Sequence, residues 1–205
     1  MEIPLAIEAR LHDLAEAIVA CQPTPTPTPE QWSRSKIIAH RGLHRHPHVW
    51  ENTLPALEPV LAYDEIDGIE FDVRWTRDLQ PVVFHDAHTQ RIFEGTAVRI
   101  ADVTLDELRR QFPLIPTLQE VVERFGGRKH LMIELKEEVY PDAPRQAGRL
   151  RELLSGLEPV RDFHFLLLSP ETYDKVSIFP REAVMLVGAF NVPEISETVL
   201  SRGFG

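Results

Sequence analysis

From Lys36 onward the chain repeats one pattern, a short apolar run of strand length followed by a stretch with helical spacing. The runs are KIIAH at 36–40, GIEFDV at 68–73, PVVFH at 81–85, HLMIEL at 130–135, FHFLLLS at 163–169 and AVMLVGA at 183–189. Between and after them, apolar spacing predicts helices over 53–63, near 104–111, over 117–125, and near 143–154, 171–178 and 193–201. Strand then helix, repeated, means a mostly parallel sheet covered by helices.

Two strands carry more than their type, because residues two apart in a strand share a side. GIEFDV sets Ile69, Phe71 and Val73 against Glu70 and Asp72, and HLMIELK sets Leu131, Ile133 and Leu135 against Met132, Glu134 and Lys136. An open sheet with helices on both faces needs both sides apolar. A barrel can turn polar groups inward at its mouth while its outward side packs on helices. The expected fold is therefore α/β, a TIM-type (β/α) barrel.

Ahead of this repeat, Ile7, Leu11, Leu14, Ala15, Ile18 and Val19 recur at helical spacing, which predicts an amphipathic helix over residues 5–20. CQPTPTPTPE then alternates Thr and Pro and reads as an extended spacer, since proline fixes φ and donates no backbone hydrogen bond. The expected division is residues 1–33 as helix and Thr-Pro linker, and residues 34–205 as the barrel domain.

With 22 Lys and Arg against 32 Asp and Glu, the formal charge is −10, which argues against nucleic acid as a partner. Hydrophobic residues at 43% exclude disorder for the bulk of the chain. No apolar stretch approaches the roughly 18 residues of a membrane span. Cys21 stands alone, and the first 20 residues lack the pattern of a signal peptide, so a cytoplasmic location is expected.

An E-x-D pair taken alone can be a solvated strand face. Here Glu70, Asp72 and Glu134 lie on strands whose opposite sides are continuous hydrophobics, and burying unpaired carboxylates costs on the order of several kcal/mol each. Three converging carboxylates call for a cation. Oxygen ligands without thiolate suit a hard divalent ion, Mg²⁺ or Ca²⁺. Of nine histidines, His40 and His85 each close an apolar run at its C-terminal end, where barrel enzymes place working side chains. His44, His46 and His48 sit in a proline-broken loop and read as a solvated cluster. Two histidines beside a bound cation supply the acid and base that phosphate-ester cleavage requires. Arg41 and Lys136 add positive charge suited to a phosphodiester anion. Asp86 either orients His85 or starts a turn.

IAHRG at 38–42, ENTLPAL at 51–57, GIEFDVRWTRD at 68–78, VVFHD at 82–86, IPTLQEVV at 115–122 and MIELK at 132–136 together resemble the glycerophosphodiester phosphodiesterase family. Six motifs in this order and spacing are specific, though each is weak alone. The resemblance implies a TIM-type barrel and divalent-cation-dependent hydrolysis of deacylated phospholipids to sn-glycerol 3-phosphate and an alcohol. Carried onto this sequence, it implies metal ligands at Glu70, Asp72 and Glu134 and catalytic histidines at His40 and His85. It also implies phosphate-binding residues at Arg41 and Lys136, with Asn52 and Glu51 lining the same pocket.

About 170 residues follow the start of the first barrel strand, where a complete (β/α)8 barrel takes about 250, so about three βα units are missing from the pattern. The barrel is expected to be incomplete after about five βα units: either the chain is a truncated product, or a homo-oligomer covers the open side, or residues 1–20 cover part of it. Two alternatives go with that expectation: an inactive or weakly active remnant that binds a divalent ion or phosphorylated ligand, and a phospholipase resembling sphingomyelinase D.

Overall fold

The structure, a computed structural model, describes residues 28–187 apart from 94, 96 and 176, together with residues 199, 201, 202 and 204. The chain separates into two compact units, residues 1–35 and 36–205. In the first, the expected helix over 5–20 lies outside the described residues. The end of the Thr-Pro spacer is not extended: Pro29–Arg34 is a helix. Thr28 and Gln31 start it by exchanging hydrogen bonds, Thr28 N to Gln31 Oε1 at 2.8 Å and Gln31 N to Thr28 Oγ1 at 3.2 Å. Proline is well placed there because the first helical position has no intrahelical use for its missing N–H.

The second unit is built on one sheet. Its parallel strands are β1 (Ile38–His40), β2 (Gly68–Trp75), β4 (His130–Leu135), β5 (Phe163–Leu167) and β6 (Val184–Leu186), in that spatial order. β3 (Pro81–Val83) pairs antiparallel with β2 as an added local strand, and its Val82 forms an isolated bridge with Thr117. Among the described residues β1 and β6 each have one neighbour, so five strands of a barrel wall are present and the sheet is not closed on itself.

The outward side chains Ile69, Phe71 and Val73 of β2 and Leu131, Ile133 and Leu135 of β4 are fully buried. They belong to one core with Leu118, Val121 and Phe125 from the helix Leu118–Phe125 and Leu150 from the helix Ala143–Leu153. A second cluster, Val82, Phe84, Ile92, Ile100, Leu108 and Ile115, packs around β3 and the helix Leu105–Gln111.

Several elements differ from the sequence expectation, each for a local reason. The helix expected over 53–63 is one turn of α-helix, Leu54–Leu57, followed by a 3₁₀ turn, Glu58–Ala62. Pro59 cannot donate to the carbonyl four residues back and its ring crowds that carbonyl, which ends the α-helix there. β1, β3, β5 and β6 are shorter than their apolar runs, β4 matches its run and β2 continues two residues past its run to Trp75, because ladder pairing and not hydrophobicity sets their ends. Arg181–Ala183 is a 3₁₀ turn entering β6, and residues 188–189 lie outside the described set. Pro170–Lys175 replaces the helix expected near 171–178. Of the helix expected at 193–201, only residues 199 and 201 are described, and both are helical.

Thr104 and Thr117 each close a capping box with the glutamate three residues on. Arg109 also grips Glu120 with two hydrogen bonds of 2.8 Å. Burial opposes the Glu120 charge, but the Arg109 and Thr117 hydrogen bonds outweigh it and hold the carboxyl at about 2. A lowered folded-state pKa stabilises the fold fully above the ordinary carboxylate value, 4.5, and that contribution is lost as pH falls through about 2. The Glu120→Gln variant is therefore expected to melt below the parent at pH 7, with the gap closing as pH falls from 4.5 towards 2. Thermal melts across that range check this, and a gap of constant size would contradict it.

Candidate active site

Parallel register does the first part of the assembly. His40 stands opposite Glu70, and Asp72 opposite Glu134, so four chemically active side chains meet at one end of three adjacent strands. The chain then turns sharply after β1. Arg41 and Gly42 both have positive φ, 56° and 81°. A Cβ on Gly42 would lie 2.6 Å from the Ala56 carbonyl oxygen, so only glycine lets this turn press against the following helix. Arg41 N donates to the Glu70 carbonyl at 2.9 Å, and Asn52, itself at φ 57°, donates its N–H to the Arg41 carbonyl at 3.1 Å. Asparagine tolerates that left-handed conformation better than most residues.

Glu70, Asp72 and Glu134 each offer an oxygen within 4.8 Å of the others. Asp72 is fully buried. It accepts from Asn52 Nδ2 at 2.6 Å and forms ion pairs with Arg41 Nε at 3.2 Å and Lys136 Nζ at 2.6 Å. Arg41 Nε makes no aligned hydrogen bond among the described residues, so its contact with Asp72 is electrostatic. Burial opposes the Asp72 charge, but Lys136 and then Arg41 outweigh it and keep the carboxyl below its ordinary range. Lys136 also pairs with Glu134.

Glu70 has less support: its Oε2 accepts from the Arg41 N–H at 3.2 Å. Its Oε1 is buried without a hydrogen-bond partner among the described residues. Burial, then the Asp72 and Glu134 carboxylates, push it up to about 8. A buried, partnerless carboxylate oxygen aimed at two further carboxylates is what a divalent cation would satisfy, and an all-oxygen donor set suits a hard ion. The residues fit such a group.

His40 Nε2 lies 3.7 Å from Glu70 Oε2 and its side chain is largely exposed. His85 arrives from the other direction, beyond β3. The Phe84 N–H bonds the Asp72 carbonyl at 2.9 Å, and Arg74 Nε holds the His85 carbonyl at 2.7 Å. Glu138 anchors Arg74 at 3.0 Å. His85 Nδ1 lies 2.6 Å from Asp86 Oδ1. A cavity of about 490 Å³ opens toward the opposite end of the strands, lined by residues such as His130, Met132 and His164, and none of the three carboxylates lines it.

The Glycerophosphoryl diester phosphodiesterase family profile matches residues 40–170, the segment that carries every one of these side chains. The chain belongs to this family. A glycerophosphodiester phosphodiesterase from Bacillus altitudinis is 36% identical over 191 residues, covering 83% of this chain and 74% of the relative. The Bacillus subtilis protein YhdW is 37% identical over 111 residues, 49% of this chain and 44% of its own length. This chain thus spans under half the length of that relative. An Oleispira antarctica phosphodiesterase, solved in complex with the product sn-glycerol-3-phosphate, superposes with a TM-score of 0.66. It is 24% identical, and the alignment covers 83% of this chain and 72% of that one. At that identity the likeness shows a common fold, a TIM-type barrel represented here by part of its wall.

Within this family member, all nine residues singled out from the sequence lie in one connected cluster, except that His85 joins it through Asp86 and Arg91. Two of them are tied into the cluster by hydrogen bonds and ion pairs. Asn52 is buried and bonds Asp72 through both ends of its amide, donating at 2.6 Å and accepting from the Asp72 N–H at 3.3 Å. Glu51 is a buried junction between Arg41 at 2.9 Å and Arg91 at 2.6 Å. The carboxylate side of β2, expected to be a polar face at a barrel mouth, is as buried as its apolar side, because Arg41, Asn52 and Lys136 cover it. His46, expected to be solvated, contacts Glu51 at 3.4 Å and packs edge-on against Trp50 at 4.6 Å.

Arg91, Arg74 and Glu138 escaped the sequence reading. Their charge alone does not distinguish them from surface residues. The available signal for Arg91 was its position six residues after His85, within reach of the same loop.

No helix among the described residues is long and apolar enough to cross a membrane.

Proposed function

We propose that this chain hydrolyses glycerophosphodiesters, deacylated phospholipids, to sn-glycerol 3-phosphate and the free alcohol, and that the unit from about residue 34 onward carries the activity. The observation that carries the proposal is the convergence of Glu70, Asp72 and Glu134 between two strand-end histidines. Family membership and the Bacillus altitudinis relative favour this reading over a sphingomyelinase D-like one.

In this reading Glu70, Asp72 and Glu134 hold a divalent cation, Mg²⁺ or Ca²⁺, which when bound supplies positive charge to the phosphate and lowers the pKa of an attacking oxygen. Arg41 and Lys136 sit beside Asp72 and stabilise the negative charge that builds on phosphate oxygens. One histidine takes the proton from the attacking hydroxyl, and the other returns a proton to the departing alkoxide. The segments that carry His40 and His85 bond alternate carbonyls of one edge of β2, the Arg41 N–H to Glu70 and the Phe84 N–H to Asp72, on the side away from β4. Asn52 and Glu51 fix Asp72 and Arg41.

The test is release of glycerol 3-phosphate from glycerophosphocholine by the purified chain with added Mg²⁺ or Ca²⁺. Turnover that stops with chelator and returns with either ion is the expected result. No turnover by a folded, metal-supplied chain would overturn the proposal.

A further inference from the structure

The two sides of the site are joined by an unbroken line of charge that the proposed chemistry does not itself require. Asp86 accepts from Arg91 through both oxygens, Oδ2 from Nε at 2.6 Å and Oδ1 from Nη2 at 3.1 Å. The same guanidinium reaches Glu51, with Nη2 to Oε1 at 2.6 Å and Nη1 to Oε2 at 3.3 Å. Glu51 passes on to Arg41 at 2.9 Å, and Arg41 to Asp72 at 3.2 Å. Charges alternate along the whole path, from the imidazole of His85 to the carboxylate trio.

Arg91, like Arg41 further along the path, touches two carboxylates which do not otherwise meet, and one of its two is Asp86, the partner of His85. Its planar fork can hold both at once, which a lysine ammonium cannot do with the same geometry. Burial opposes ionisation at Asp86 and at Glu51, yet both carboxyls are held well below the ordinary range. The hydrogen bonds from His85 and Arg91 outweigh burial at Asp86, and those from Arg91, with the Arg41 charge, outweigh it at Glu51. Asp86 is thus a carboxylate, which can only accept. The 2.6 Å contact with His85 then requires the proton on Nδ1, leaving Nε2 of the neutral ring as the free, basic nitrogen.

The geometry points to Arg91 as a positioning residue: by clamping Asp86 against the Glu51 anchor, it fixes the orientation and the Nδ1–H tautomer of His85. This inference rests on the reading of His85 as a proton-transfer group. Arg91 touches no substrate; it acts through Asp86. Without it, Asp86 loses its second anchor and the His85 ring is free to rotate or to change tautomer.

The experiment combines kinetics with a spectroscopic signature. In histidine ¹⁵N-labelled protein, the His85 ring is expected to show a protonated Nδ1 and an unprotonated Nε2 at a pH where the ring is neutral, and Arg91→Ala is expected to lose that asymmetry. With glycerophosphocholine and saturating Mg²⁺, Arg91→Ala is expected to lower kcat roughly 10–100-fold, the usual size of an outer-shell effect, with little change in KM. Asp86→Asn should do the same, and the double variant should be no worse than Asp86→Asn alone, since both act through one ring. Arg91→Lys should recover only part of the loss. Arg91 is partly exposed, so these variants are expected to fold, which a thermal melt verifies. A kcat within twofold of the parent in Arg91→Ala, or an unchanged His85 ¹⁵N pattern, would overturn the inference. If the parent chain itself does not turn over the diester, the proposed function fails, and the ¹⁵N comparison still decides the role of Arg91.

Discussion

His85→Ala is expected to lower kcat for glycerophosphodiester hydrolysis by roughly 10²–10⁴-fold, the range for loss of one acid–base group. That corresponds to about 3–5.5 kcal/mol of transition-state stabilisation. The fold should survive, because the side chain is partly exposed and its one side-chain partner, Asp86, keeps Arg91. The same loss is expected for His40→Ala, whose ring makes only a loose contact with Glu70. KM should change less than kcat in both, since a proton is moved only in the transition state. Steady-state kinetics of the two variants and of their combination check this. The double variant should be far less impaired than the product of the single losses, because acid and base act on one bond exchange. Near-normal kcat in both single variants would remove the histidines from the chemistry.

Asp72→Ala should have the second large effect, and on two quantities at once. Asp72 is fully buried and faces Asn52, Arg41 and Lys136. Removing it deletes a proposed cation ligand, so titration calorimetry with Mg²⁺ or Ca²⁺ should show no specific binding and the assay no turnover. It also leaves Lys136, nearly as buried, with Glu134 as its remaining partner. Breaking a buried charge pair from one side costs about 3–5 kcal/mol. For a chain of this size that lowers Tm by roughly 6–20 °C. Glu70→Ala separates binding from folding. Its Oε1 has no hydrogen-bond partner among the described residues, its Oε2 loses only the 3.2 Å bond from the Arg41 N–H, and its charge is opposed by burial, so cation binding and activity should vanish while Tm changes much less than in Asp72→Ala. Full activity in Glu70→Ala would refute the cation assignment.

The difference between these two carboxylates marks the boundary of what one-dimensional reading supplies. Glu70 and Asp72 are two residues apart on one strand and share a side, which period-two alternation shows directly. Their fates diverge because Asp72 stands in register with Glu134 and under Arg41, Asn52 and Lys136, whereas Glu70 stands beside His40 and Met132. Register is set by pairing between segments some 60 residues apart, and no local pattern encodes it.

The helix over 53–63 shows the converse, a local signal that was present and outweighed. Apolar spacing there is helical, but Pro59 removes a donor, and the segment continues as a 3₁₀ turn. Gly42 belongs to the same class: its sequence neighbours mark a strand end, and only the 2.6 Å approach to Ala56 shows why no side chain fits.

Local chemistry in the chain was enough to specify which segments form strands, the parallel βα order, and the residue kinds that gather at the strand ends. Those properties follow from periodicity, proline and glycine placement, and the cost of burying charge, all of which act over a few residues. The line from His85 through Asp86, Arg91, Glu51 and Arg41 to Asp72 was decided by the tertiary structure alone. Arg91 and Glu51 are separated by 40 residues, and their guanidinium and carboxylate meet only because two loops are brought to the same end of the sheet by strand pairing.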